Sequence, residues 1–270
     1  MPELPEVETS RRGISPHIVG KTLQSLIVRQ SRLRWPVPEN LHQLISGQSL
    51  TAISRRGKYL LLDFGLGYLI IHLGMSGSLR ICSQEISPNK HDHIDWIFAD
   101  GTVLRYNDPR KFGAVLWTLQ PENHALLSKL GPEPLSENLN AHHLFSAASQ
   151  RRIPIKAFIM DSHIVVGVGN IYASESLFWA GIHPERSAGG ITDEEFQKLV
   201  KSIQKVLSSA IEQGGTTLRD YVNPEGKPGY FQQTLQVYGR RGEPCRECST
   251  PIEHVKIGQR ASYFCPRCQI

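Results

Sequence analysis

Apolar residues recur at Leu4, Val7, Ile14 and Ile18 along one face of a helix that opens the chain. The polar Arg11 interrupts this stripe, and Pro5 suits a first helical turn. The pattern then changes to short apolar or alternating runs at 60–64, 68–73, 78–81, 95–98, 102–106 and 114–118, which predict strands. Turn signals separate them, such as Gly65-Leu66-Gly67 and Asp100-Gly101, the latter read as a two-residue hairpin turn. Several short strands at this spacing predict a sandwich or barrel.

The texture shifts around 131–140, where Gly131-Pro132-Glu133-Pro134 and a polar stretch to Asn140 read as a linker. Helical periodicity follows. The clearest helix spans about 193–213: Thr192 and Glu195 form a capping box ahead of the apolar stripe Phe196, Leu199, Val200, Ile203, Val206, Leu207, Ala210 and Ile211. Gly214-Gly215 ends it. A shorter helix opens at Asn170 and stops at Gly181. Residues 216–236, punctuated by Asn223-Pro224, Gly226 and Pro228-Gly229, read as a long loop of the kind that often carries function.

Composition narrows the class. With 270 residues, 40% of them apolar, the chain can bury one large core or two ordinary ones. No apolar run approaches the roughly 20 residues of a membrane helix. The start, Met1-Pro2-Glu3-Leu4-Pro5-Glu6, lacks signal-peptide character, so a reducing cytosolic compartment is expected. The net charge of +5 is a mild hint of nucleic acid, but its distribution says more. Residues 1–35 and 240–270 each hold six Lys/Arg against three acids, whereas 121–150 hold Lys129 against three Glu. Two basic ends suit a phosphate backbone; a solvated surface is the plainer reading.

Among local motifs the strongest is Cys245-x2-Cys248-x16-Cys265-x2-Cys268. Two such knuckles present four thiolates to zinc, and four protein ligands leave no open position, so the metal is expected to be structural. A segment this short depends on metal to fold. Cys82 stands apart and is expected as a small buried hydrophobe. Gly167-Val168-Gly169-Asn170 lacks the third glycine of a dinucleotide fingerprint. It reads as a helix cap, or as a helix N-terminus that receives one phosphate. His91-Asp92-His93 has no companion ligands and reads as the start of a strand rather than a second metal site. If Met1 is removed, Pro2 exposes a secondary amine. An α-amine pKa near ~7.7–8.0 leaves a useful unprotonated fraction at neutral pH. Such an amine can attack a sugar carbon, with Glu3 and Glu6 beside it for proton transfer; taken alone, a frayed terminus is the plainer reading.

Read together, several segments resemble the bacterial formamidopyrimidine-DNA glycosylases. They are Met1-Pro-Glu-Leu-Pro-Glu-Val-Glu-Thr9, Arg56-Gly57-Lys58-Tyr59, Ile71-His72-Leu73-Gly74-Met75-Ser76-Gly77, Asp108-Pro109-Arg110-Lys111-Phe112-Gly113, Val166-Gly167-Val168-Gly169-Asn170-Ile171-Tyr172-Ala173 and Gly226-Lys227-Pro228-Gly229-Tyr230-Phe231, with the cysteine knuckles in order behind them. The resemblance covers essentially the whole chain.

What it implies is specific. The fold would be α+β: an N-terminal β-sandwich with flanking helices over 1–132, a linker at 133–140, a helical helix–two-turn–helix domain over 141–236 and a zinc-binding β-hairpin over 237–270. The activity would be base excision of oxidised purines (8-oxoguanine and formamidopyrimidines) from double-stranded DNA, followed by strand cleavage at the abasic site by β,δ-elimination. Pro2 matches the Schiff-base nucleophile, Glu3 the acid that assists ring opening, Lys58 the lysine of β-elimination and Arg260 the arginine of δ-elimination. Met75, Arg110 and Phe112 match a wedge that fills the space of the flipped base. On their own Met75 and Phe112 read as core residues. His91, Arg151, Asn170 and Arg260 match phosphate contacts, and Lys156 follows the same basic stretch on the lesion side. A loop over 217–237 would close on the base. One structural Zn2+ at Cys245, Cys248, Cys265 and Cys268 would be the sole cofactor, with no catalytic metal or organic group. The protein would be a monomer without a membrane partner, acting in the bacterial cytoplasm on the nucleoid. Two other readings are an endonuclease VIII-like enzyme for oxidised pyrimidines and a non-catalytic zinc-finger DNA-binding protein. The Pro-Glu-Leu-Pro-Glu start, Met75 and Gly-Lys-Pro-Gly-Tyr side with the first reading.

Overall fold

The computed structural model describes residues 2–216 and 234–270, so most of the expected loop over 216–236 and lid over 217–237 lies outside the described residues. The described chain forms two compact units, residues 2–128 with 213–216 and residues 129–212 with 234–270.

The first unit begins with helix α1 (Leu4–Ile18), followed by β1 (Leu23–Val28), α2 (Leu41–Ile45), β2 (Ala52–Arg56), β3 (Tyr59–Asp63), β4 (Tyr68–His72), β5 (Ser78–Ser83), β6 (Asp92–Phe98), β7 (Thr102–Asn107) and β8 (Ala114–Thr118). The strands make two antiparallel four-stranded sheets, β1-β6-β7-β5 and β2-β3-β4-β8. Leu60, Leu62, Leu69 and Ile71 of one sheet share a core with Ile94, Trp96, Leu104 and Tyr106 of the other, and α1 adds Val7, Ile14 and Ile18. The period-2 alternation puts these side chains on one face of each sheet, and burying both faces together yields the expected sandwich.

Strand β6 starts three residues earlier than its apolar pattern indicates. It is buried along its whole length, Asp92, His93 and Asp95 included. The acids are tolerated there because each meets cations. Arg80 and the Asn107 amide bond Asp92, and Arg29 and Arg105 bond Asp95. Strands β1 and β2 escape the hydrophobic pattern because they are only partly covered and β2 is polar at Ser54-Arg55-Arg56. The Asp100-Gly101 turn is a three-residue connection, not a two-residue one. Gly101 donates to the Phe98 carbonyl at 2.9 Å with φ +84, so the chain needs Ala99 as well to reverse. Cys82 is half-buried rather than fully buried.

The second unit carries α3 (Ala141–Ala148), α4 (Ile155–Ile159), α5 (Asn170–Ala180), α6 (Asp193–Glu212) and the antiparallel hairpin of β9 (Glu253–Ile257) and β10 (Arg260–Phe264). The α6 capping box is present: Thr192 N–H donates to Glu195 Oε2 at 2.9 Å, and Glu195 N–H to Thr192 Oγ1 at 3.2 Å. Asn140, at the end of the expected linker, caps α3 by accepting from His143 N–H. Gly181 closes α5 in the left-handed region. The overall class is α+β, as the sequence pattern and the resemblance indicate.

Candidate active site

Pro2 and Glu3 are buried at the N-terminus of α1. Glu6, one turn on, organises them. Its Oε2 accepts Glu3 N–H at 2.8 Å and its Oε1 accepts Thr216 N–H at 2.9 Å. A carboxylate at a helix N-terminus is favoured by the orphan N–H groups and the helix dipole. One side chain thereby ties the backbone next to Pro2 to the residue that precedes the undescribed segment.

Lys58 lies within the two-residue turn between β2 and β3, next to Gly57 at φ +56. A cluster around Glu8 of α1 holds this turn. Glu8 accepts from Arg11 at 2.8 Å, Arg12 at 2.8 Å and Arg55 at 3.3 Å, and Arg55 also donates to the Gly57 carbonyl at 2.9 Å. Burial alone would raise the Glu8 carboxyl; the bonds from Arg11 and Arg12 and the charges of Arg11 and Arg55 bring it down to about 2.

Met75 and Phe112 are not core residues. Met75 is half-buried and Phe112 is 44% exposed. They line a cavity of about 670 Å³ with Arg34, His72 and Arg110, and the Arg110 guanidinium sits 4.9 Å from the Phe112 ring centre. Two tightly joined turns carry them. A Cβ on Gly74 would lie 2.4 Å from the Phe112 carbonyl carbon, and one on Gly113 would lie 1.8 Å from Tyr106 Oη, so both positions require glycine. Under the first turn, His72 Nδ1 accepts Gly74 N–H at 3.1 Å. Burial, then the positive charges of Lys58 and Arg34, lower the His72 pKa to about 4, so the ring is neutral and Nδ1 is free to accept.

His91 lines a second cavity, of about 570 Å³, with Arg29, Lys90 and Lys111. Four cationic or ionisable donors around one opening suit an anion. The neighbouring Asp92 and His93 are engaged inward, His93 Nε2 donating to the Asp108 carbonyl at 2.8 Å. Among the described residues these three do not gather as a metal-ligand cluster.

The remaining candidates belong to the second unit. Lys156 is 1% exposed, and its ammonium donates to Asn170 Oδ1 at 2.8 Å, Ser262 Oγ at 2.9 Å and the Ala261 carbonyl at 3.2 Å. Asn170 is the first residue of α5 and does not cap it. Its amide donates instead to the Ala261 carbonyl at 3.1 Å. Lys156 and the exposed Arg260 line one cavity of about 220 Å³. Arg151 is exposed, with its guanidinium 5.6 Å from the Phe158 ring centre.

The four knuckle cysteines converge, with all Sγ atoms within 4.8 Å of one another. Cys245 and Cys268 are 3.9 Å apart at sulfur, and Cys248 and Cys265 3.5 Å. Tetrahedral zinc with Zn–S near 2.3 Å requires S···S spacings of about 3.8 Å, so the donor set fits one structural ion.

The sequence reading gives no role to two further residues, one in each unit. Asp108 is fully buried between the Met75 and Phe112 turns. Glu175, in the middle of α5, accepts N–H bonds from Gln236, Val237 and Tyr238 at 2.8–3.0 Å. The clue for Glu175 is its position: one charge in the otherwise uncharged run Ile171–Ala180 must be buried and partnered.

Three family models match the chain in succession. Residues 1–115 match the formamidopyrimidine-DNA glycosylase N-terminal domain, 130–222 its H2TH domain, and 242–270 a zinc finger found in FPG and IleRS. A formamidopyrimidine-DNA glycosylase of Methylococcus capsulatus is 58% identical over 270 residues, covering all of both chains. One from Photobacterium profundum is 59% identical over 269 residues at the same coverage. Among solved structures, the Lactococcus lactis Fpg bound to abasic-site DNA superposes with a TM-score of 0.91 at 36% identity, covering 99% of each chain.

Proposed function

The chain belongs to the formamidopyrimidine-DNA glycosylase family, and from that membership we propose how its own residues carry out the family's reaction. It is a base-excision repair enzyme that removes oxidised purines from duplex DNA and then cleaves the abasic strand. Pro2, once Met1 is removed, attacks C1′ of the damaged nucleotide. The N-glycosidic bond breaks, the base leaves, and an iminium forms between Pro2 and the sugar. Glu3 relays protons during ring opening. Lys58 takes the C2′ proton in β-elimination, and Arg260 serves the second elimination while contacting phosphate.

Met75, Arg110 and Phe112 enter the stack when the lesion leaves it. His91, Arg151, Asn170 and Arg260 hold phosphates. Lys156, buried under three oxygen acceptors, supports Asn170 and the hairpin rather than touching DNA itself. The cysteines hold one structural zinc. Through its DNA the enzyme works on the nucleoid.

The observation that carries this reading is the buried Pro2-Glu3 start, fixed by Glu6, in a chain matched along its full length by these glycosylases. Borohydride trapping on an 8-oxoguanine:cytosine duplex tests it. A covalent adduct that maps to Pro2 is expected. No adduct, from protein whose intact mass shows Met1 removed, would overturn the mechanism.

A further inference from the structure

We propose that Asp108 is the positioning residue that sets the spacing of the duplex wedge, joining the Met75 turn to the Arg110–Phe112 turn through one buried carboxylate. The inference rests on the wedge role given above to Met75, Arg110 and Phe112. Asp108 is 0% exposed. Its Oδ1 accepts the Ser76 hydroxyl at 2.9 Å and Arg110 N–H at 3.3 Å. Its Oδ2 accepts Gly113 N–H at 2.9 Å and the Tyr106 hydroxyl at 3.1 Å. Ser76 follows Met75, and Gly113 follows Phe112, so the carboxylate bonds the immediate neighbour of each apolar wedge residue and the backbone of the arginine between them.

The Asp108 backbone is fixed as well. Its N–H donates to the His91 carbonyl at 3.0 Å, and its carbonyl accepts from Lys111 N–H at 3.2 Å and His93 Nε2 at 2.8 Å. Tyr106, on β7, anchors the whole assembly to the sandwich core. A wedge must be stiff: it does work against base stacking, and a yielding turn would bend instead. Phe112 is 44% exposed and Met75 is only partly buried, so burial of the two side chains does not by itself fix them. Stiffness must therefore come from beneath, and a buried carboxylate with four donors supplies it. Charged acceptors make the stronger hydrogen bonds.

Asp108→Asn keeps the volume but turns one acceptor oxygen into a donor, which must then face Gly113 N–H or Arg110 N–H, neither of which can rotate away. Two substrates separate positioning from general damage. On an 8-oxoguanine duplex with 2-aminopurine beside the lesion, the fluorescence phase that reports unstacking should slow by about 100-fold, the scale of a misplaced group. Borohydride trapping on an unpaired, single-stranded abasic site needs Pro2 but no wedge, and should stay within a few fold of wild type. An equal loss on both substrates, or no loss on the duplex, would overturn the proposal. Wild-type protein run alongside tests the enzymatic reading itself: absence of its adduct would sink that reading, whatever the variant does. If Asp108→Asn does not fold, Ser76→Ala decides. It leaves the carboxylate in place, frees only the Met75 turn, and should slow the duplex phase by about tenfold for one lost charge-assisted bond; an unchanged phase would count against the proposal.

Discussion

Lys156 Nζ lies 2.8 Å from Asn170 Oδ1, and the same ammonium reaches two oxygens of the hairpin strand β10, Ser262 Oγ and the Ala261 carbonyl. A lysine in a basic stretch invites a phosphate role, yet this one has 1% of its surface open. Its charge is spent on protein oxygens, among them the amide oxygen of Asn170, for which a phosphate contact is proposed above.

The salt dependence of DNA binding should tell the two kinds of cation apart. Each phosphate contact contributes a slope near 0.9 in log K against log salt, from released counterions. Arg260→Ala is expected to reduce the slope by about one contact. Lys156→Met is expected to weaken binding with the slope nearly unchanged. It should also destabilise the fold by about 2–3 kcal/mol, because three oxygens around a buried side chain, that of Ser262 itself buried, lose a charged donor. Titrations at several salt concentrations, with urea unfolding beside them, check both. A Lys156→Met slope that falls like that of Arg260→Ala would place the ammonium on phosphate.

Acid stability should depend on Glu8. Its folded pKa is about 2, against an ordinary value of 4.5, so the folded state releases this proton more readily than the unfolded state. The stabilisation is complete above the ordinary value and is lost as pH falls from there toward about 2. Glu8→Gln should therefore flatten the acid limb of the unfolding midpoint between these values. It should also loosen Arg55, and with it the Gly57-Lys58 turn, so that strand cleavage slows more than base release. A midpoint-against-pH curve parallel to wild type would show that the cluster contributes nothing to acid stability.

Glu175 should fasten the chain on the far side of the undescribed segment. Burial pushes its carboxyl up from the ordinary range, while three backbone N–H groups favour the ionised form. Glu175→Gln replaces one acceptor by a donor facing an N–H. A cost of about 1–3 kcal/mol is expected, with faster hydrogen exchange at Gln236, Val237 and Tyr238. Unchanged protection at these three amides would count against the anchor.

How legible this was differs from residue to residue. The α6 stripe and capping box, five of the strand positions and the cysteine spacing could be read directly, because periodicity and ligand spacing are local properties. Strand β6 was legible only from Asp95 onward. The ion pairs that make its first residues buriable involve Arg80, Arg29 and Arg105, which lie elsewhere in the chain. Met75 and Phe112 look like core from composition; only the two interlocked turns bring them to the surface. Asp108 stood in a segment that resembles the family and Lys156 in a basic stretch, but neither context showed what the side chain holds, since that depends on partners as far as 106 residues away.

Removal of zinc should do more than unfold a finger. The hairpin is bound into the helical unit: Lys156 and Asn170 both donate to the Ala261 carbonyl, and Gln269 Nε2 donates to the Ile182 carbonyl at 2.9 Å. The apolar contacts around the knuckles amount to a few side chains, Phe178, Val237 and Ile252 among them, too few to hold the segment without metal. Chelation should therefore release residues 240–270 while α3 to α6 keep their far-UV helical signal. Because Asn170 and Lys156 lose their hairpin partners at the same time, DNA affinity should fall further than in Arg260→Ala. Circular dichroism and binding titrations before and after chelation, with zinc added back to restore both, make the check. Collapse of the helical signal would mean that the metal holds the whole unit. An affinity loss equal to that of Arg260→Ala would mean that the Lys156–Asn170 link does not transmit the hairpin's position to the side chains proposed to hold phosphate.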